Sequence, residues 1–233
     1  MKRVPSLLVL SSILILSQSI CSCGLIDFEF EEYTQEAYEM HLDRDSVYIL
    51  LDETFSLNPI FTPDSVSNRE IYWISDDTEI VFAFNNHFIP ISEGETYVRA
   101  ITVQNRITDS CYVKVLPRWE ININNYSNDM VVYANVSIND APVDTENILL
   151  GAFCGGELRG IGVKKVWKEI EYFQFHIFGF KNLEPDDEND TEIIRFAYYD
   201  RKNLDFKYLK QYLIFDGETY GTISDLYVIN DKE

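Results

Sequence analysis

The run EYFQFHIFGF (171–180) alternates without a break. Phe173, Phe175 and Ile177 fall on one side of an extended chain, and Tyr172, Gln174, His176 and Phe178 on the other. A period of two is the side-chain period of a β-strand, and an apolar side to a strand has to be covered by something. CYVKVL (111–116) repeats the pattern, with Cys111, Val113 and Val115 set against Tyr112 and Lys114. Short runs of this kind fill the chain. The first group is SVYILL (46–51), TFSLNPIF (54–61), REIYWIS (69–75), EIVFAF (79–84), HFIPI (87–91) and ETYVRAITV (95–103). The second is DMVVYANVSI (129–138), ILLGAF (148–153), LRGIGVKKVW (158–167), EIIRFAYYD (192–200), KYLKQYLIF (207–215) and LYVIN (226–230). Asn, Asp, Gly and Pro separate them, and 15 Tyr and 15 Phe supply β-forming bulk. The expectation is an all-β protein of two β-sandwich domains, residues 42–117 and 118–233, meeting near Pro117 to Trp119. Trp73, in mid-strand, is expected to plug the first core.

The N-terminus has a different pattern. Lys2 and Arg3 precede a mostly apolar run from Leu7 to Ile20, short for a membrane span and the right length for a signal-peptide core. It ends in ICSCG (20–24), with Ile20 three positions before Cys23, Ser22 before it and Gly24 after it. That arrangement resembles a bacterial lipoprotein signal. The resemblance implies a signal peptide of residues 1–22 and acylation of the Cys23 thiol. Cys21 fits less well, because Gln18 stands where an aliphatic residue belongs. An ordinary secretory signal with two incidental cysteines is the plainer alternative. Residues 23–41 are acidic and lack sustained alternation, and Thr34 to His41 is compatible with a helix; they are expected to be a tether. No second apolar run of spanning length follows. The expected partner is therefore a membrane reached through lipid alone, and the expected place is the cell envelope, as an outer-membrane lipoprotein facing the surface or the periplasm.

Charge narrows the partners. The chain has 39 acidic and 19 basic side chains, a formal charge of −20. Nucleic acid needs a basic footprint, and anionic headgroups would repel this surface, so neither is expected to bind the folded part. His41, His87 and His176 are isolated, and no zinc spacing exists. Cys111 and Cys154 are read as small buried hydrophobes, with a bridge between them as the alternative. No cofactor motif is present.

Within 42–117 the sequence order is informative. An apolar strand and Pro63 are followed by WISDDTEIVFAF (73–84), a turn, Gly94, YVRAITV (97–103) and CYVKV (111–115). This resembles the bacterial Ig-like domains of group 2, which are surface modules and spacers without catalytic residues. The chain departs from that pattern at NNH (85–87), where Asn86 is expected to take the left-handed conformation usually given to glycine.

The stretch GAFCGGELRGIG (151–162) holds five glycines. Gly155 and Gly160 have Walker spacing, but Ile161 stands in place of the lysine, and no helix follows for a dinucleotide fingerprint. Cys154 has no motif-linked base. The stretch therefore reads as a hairpin turning at CGGE (154–157), with Gly155 and Gly156 at positive φ, and with Gly160 and Gly162 leaving room for a bulge or an aromatic ring. Together with NYSNDMVVYANV (125–136), IIRFAYYD (193–200), Phe215 and Gly221–Thr222, it resembles a poorly characterised β-sandwich module of Bacteroidota surface proteins. That resemblance implies an accessory domain and assigns no residue roles. Glu157, Arg159, Tyr199 and Asp200 form the candidate binding set. In one reading Arg159 forks onto Asp200 and ties hairpin to strand. In the other the set grips a sugar or a peptide.

Asp186, Glu188 and Asp190 alternate in the loop EPDDENDTE (184–192). They are weak calcium candidates, the other reading being a solvated acidic loop. Two function classes remain. One is a non-catalytic cell-surface lipoprotein, an Ig-like stalk presenting a module for adhesion or for glycan or protein binding, with a pure spacer as its limiting case. The other is a hydrolase working with paired carboxylates, which leave no fixed spacing.

Overall fold

A computed structural model describes residues 35–180 and 191–232. Cys23, the signal segment and Asp186, Glu188 and Asp190 lie outside the described residues. The described chain is all-β, and its one helical piece is a 3-10 turn at Ile123–Asn125. Among the described residues no helix is long and apolar enough to cross a membrane.

The first layered core is built from β1 (Glu39–Leu42), β2 (Ser46–Leu50), β3 (Pro59–Thr62), β4 (Ile71–Ser75), β5 (Val81–Phe84), β6 (His87–Pro90), β7 (Gly94–Thr102) and β8 (Thr108–Leu116). Strands β2, β8, β7 and β4 form a four-stranded sheet in that order, while β1 pairs with β3 and β5 with β6. The alternation read from the sequence sets which side is inside. Val98, Ala100, Cys111 and Val113 are fully buried, whereas Tyr97 and Arg99 face out. Phe88 sits at the centre, stacked on Phe55 at 4.9 Å and met edge-on by Trp73 at 5.3 Å.

Three local expectations need correction here. The tether does not extend to His41: Ala37 and Met40 are buried, and β1 pairs with β3. Two inward residues, Met40 and Leu42, are too few to show a period. The run 54–61 is not one strand, because Phe55 only bridges to Phe88 and β3 starts at Pro59. In the β5–β6 turn it is Asn85, at φ 52°, that is left-handed. Asn86 instead accepts a hydrogen bond from the Leu57 N–H through its Oδ1.

The second core belongs to β9 (Asn128–Ile138), β10 (Ala141–Pro142), β11 (Ile148–Cys154), β12 (Glu157–Trp167), β13 (Ile170–Gly179), β14 (Ile193–Asp200), β15 (Asp205–Ile214), β16 (Thr219–Tyr220) and β17 (Tyr227–Asn230). Their order is β10-β9-β13-β12-β11-β14-β15, with β16 and β17 added parallel to β9. The sheet folds over its own apolar face. Its two ends meet where Asn230 donates its backbone N–H to Gln211 Oε1 at 3.0 Å. Phe173, Phe175 and Ile177 point into this core beside Met130, Ile194 and Phe196, as the alternation requires.

The two cores share no strand but are tied directly. Tyr199 is fully buried against Leu50 and Leu116, and its hydroxyl donates to Glu53 Oε2 at 2.8 Å. Arg201 Nε donates to the other oxygen of Glu53 at 2.8 Å, and the Tyr48 N–H to the Leu204 carbonyl at 2.7 Å. Burying side chains of this size contributes about 1.5 to 3 kcal/mol each. The connector then lies across the outer face of the second sheet, with Trp119 edge-on to Phe153 at 5.4 Å.

Candidate functional site: an aromatic cleft beside the junction

The glycine stretch is a hairpin. β11 runs to Cys154, β12 starts at Glu157, and Gly155 and Gly156 have φ of 58° and 92°. A side chain at either would meet empty space, so the backbone angle is what requires glycine. At Gly162 the reason differs, since a Cβ there would lie 2.6 Å from the Phe175 ring. The register passes from Ala152↔Gly160 to Phe153↔Leu158, which leaves Arg159 as the extra residue of a β-bulge.

That bulge aims Arg159 into a closed setting. Its Nε donates to Glu157 Oε2 at 3.0 Å, its Nη2 lies 2.9 Å from Glu192 Oε1, and its Nη1 donates to the Phe178 carbonyl at 3.3 Å. The guanidinium also lies over the Tyr126 ring at 4.7 Å. Burial works against its charge, and Glu192 and Glu157 over-compensate, so its pKa is raised. The expected partner, Asp200, is not involved. It caps the turn after β14, accepting from the N–H groups of Lys202 and Asn203 at 2.9 and 3.0 Å. Asp200 pairs with Ile148 at one end of β11 and Ile194 with Cys154 at the other. That places Asp200 about 20 Å along the strand from the Arg159 end. The four candidate residues therefore do not converge. Glu157 and Arg159 brace the hairpin, while Tyr199 belongs to the junction and Asp200 to a turn.

The cysteines do not bridge. Both are free, and they pack in different cores. Burial pushes the Cys111 thiol up to about 12 and raises that of Cys154, the reverse of what a nucleophile needs. Among the described residues no three His, Cys, Asp or Glu side chains are grouped to hold a metal.

What the fold does assemble is a cleft of about 480 Å³ between the two sheets, lined by Tyr48, Lys114, Trp119, Phe206 and Tyr208 among others. A second hollow of about 430 Å³ continues past Tyr208 to Arg195 and the hairpin glycines. Phe153 and Tyr208 line both, so the two form one path. The rings brace each other edge-on: Phe206 with Tyr208 at 5.1 Å, Phe153 with Phe206 at 5.7 Å, and Tyr48 with Tyr112 at 6.4 Å. Tyr97 extends the row from Tyr112 at 5.6 Å. The volumes fall in the range of small-molecule sites. The ladders of β11, β14 and β15 are paired across the floor, apart from one irregularity between Arg195 and Ala197. The path thus offers ring faces and side-chain donors, with β15, the last strand in the sheet order, along one margin.

This site was not found from the sequence, because Tyr48, Trp119 and Tyr208 come from β2, the connector and β15. The one local sign was the alternation in β15, which turns Tyr208 and Tyr212 away from the buried Leu209 and Leu213.

No protein-family model matches the chain, and no curated protein matches it. Several solved structures are distantly similar. Protocadherin gamma B7 extracellular cadherin domains 1–4 align at 9% identity and TM-score 0.27 over 76% of this chain, which spans 49% of theirs. Domains 4 and 5 of the S-layer protein SbsC align at 10% identity and TM-score 0.30, covering 85% of this chain and 100% of that one. The Bacteroides ovatus mixed-linkage glucan utilization locus protein SGBP-B, solved with a mixed-linkage heptasaccharide, aligns at 11% identity and TM-score 0.23, covering 82% and 47%. Alignments this loose carry no argument about ligand or partner.

Proposed function

We propose that this chain is a non-catalytic, lipid-anchored module of the bacterial cell surface whose two sandwiches, the first of the group 2 Ig-like kind, hold a carbohydrate-binding cleft at their junction. The observation that carries the reading is the row of braced, partly exposed rings, Tyr48, Trp119, Phe206 and Tyr208, gathered from both sandwiches around one cleft. Sugar rings stack on such faces through their C–H sides. The lining favours binding over hydrolysis, because its described residues include no Asp or Glu, and a glycosidase needs two facing carboxylates.

The test is a glycan array probed with the full chain and with Tyr208→Ala. Binding that disappears in the variant, at unchanged melting temperature, is the expected result. Binding that survives Tyr208→Ala, or an array with no hit, removes the reading. Lipid anchoring is checked separately. Cys23→Ala should leave the membrane fraction and Cys21→Ala should stay in it.

A further inference from the structure

The charge along the aromatic path runs against the charge of the molecule. The chain carries 39 acidic and 19 basic side chains, yet no Asp or Glu is among the described residues lining either hollow. Both ends of the path carry a cation instead, Lys114 at the junction and Arg195 beside the hairpin. The two are not equivalent. Lys114 donates to Glu95 at 2.7 Å, so its charge is answered on its own sheet. Arg195 is exposed, and no described side chain pairs with it. Its cross-strand neighbours are Phe153 on one side and Tyr212 on the other, both uncharged.

Taking the carbohydrate reading above as its basis, we infer that the ligand is an acidic glycan, with a uronic acid carboxylate held by Arg195 and the adjoining sugar stacked on Tyr208. A guanidinium presents two parallel N–H donors that match the two oxygens of a planar carboxylate. Arg195 and Tyr208 line the same hollow, so one residue of a chain can occupy the ring while its neighbour meets the cation.

The experiment is calorimetric titration of the full chain with oligogalacturonate and oligomannuronate, each compared with its methyl ester. Esterification keeps the sugar ring and removes the negative charge. The expected result is at least tenfold tighter binding of one free acid than of its ester. Arg195→Gln should abolish that preference, with the melting temperature unchanged, while leaving ester binding in place. Tyr208→Ala should abolish both. Equal affinity for acid and ester, or binding of neither when the array shows Tyr208-dependent capture of a neutral glycan, overturns the acidic assignment and leaves the cleft reading standing. Failure of every glycan to bind through Tyr208 overturns both.

Discussion

Arg159 and Arg195 lie on the same half of one sheet and do opposite things. Arg159 is 7% exposed, sits in a bulge and is held by two carboxylates, a carbonyl and an aromatic ring. Arg195 pairs regularly with Phe153 on one side and flanks the β14–β15 irregularity on the other, is exposed, and meets no charged partner among the described residues. The residue in the conspicuous motif is the structural one. Arg195, outside that motif, is the one proposed to meet a ligand. An arginine's role is set by what the fold brings to it, and the bulge decides this by pointing one side chain into closed surroundings.

The comparison is broken most severely at Arg159. Arg159→Ala leaves Glu192, which is largely buried, without its cation, and should cost about 3 to 5 kcal/mol in urea unfolding. Glu192→Gln added to it should cost little more, because the pair is lost once, whereas Asp200→Ala should add its own full cost. A cycle in which Asp200 couples to Arg159 would restore the discarded pairing. The hairpin that carries the bulge is the next test. Gly155→Val and Gly156→Val should each lose about 1 to 3 kcal/mol, all of it backbone cost, since a Cβ meets nothing there.

Tyr199→Phe probes the junction and should cost about 1 kcal/mol for the lost Glu53 hydrogen bond. It also has a pH signature. Burial, and then the bond to Glu53, raise the Tyr199 pKa in the folded state. Above an unfolded value of about 10 the unfolded chain ionises while the native phenol stays neutral. The stabilisation is thus complete below pH 10 and is lost as pH rises further. Tyr112 and Tyr220, each raised to about 12, act in the same direction. Melting temperature should fall between pH 9 and 12, less steeply in Tyr199→Phe, and an equal slope in the two proteins would exclude Tyr199 as a contributor. The smallest effect is expected at Arg195, where replacement by alanine should stay within about 0.5 kcal/mol of wild type. A large loss there would make both arginines structural.

The parts of this molecule that could be read from sequence are those whose signal is local. Phe173, Phe175 and Ile177 repeat long enough to declare an inner face, and paired glycines declare a tight turn. Strands β1, β10 and β16 stayed hidden because two to four residues cannot show a period. The partner of Arg159 stayed hidden for a different reason. Sequence gives a charge its sign but not its neighbours, and only the pairing of β11 with β14 shows that Glu192 is near and Asp200 far. The cleft is the extreme case, since it is assembled from positions 48, 119 and 208.

The three tryptophans allow one direct measurement of the central claim. Trp73 packs in the first core, Trp119 lines the cleft, and Trp167 stands exposed at the end of β12. In an NMR titration of the full chain with the best glycan from the array, the indole N–H resonance of Trp119 should shift saturably while those of Trp73 and Trp167 stay in place. Movement of Trp167 or Trp73 with Trp119 fixed would put the binding site elsewhere and contradict the account.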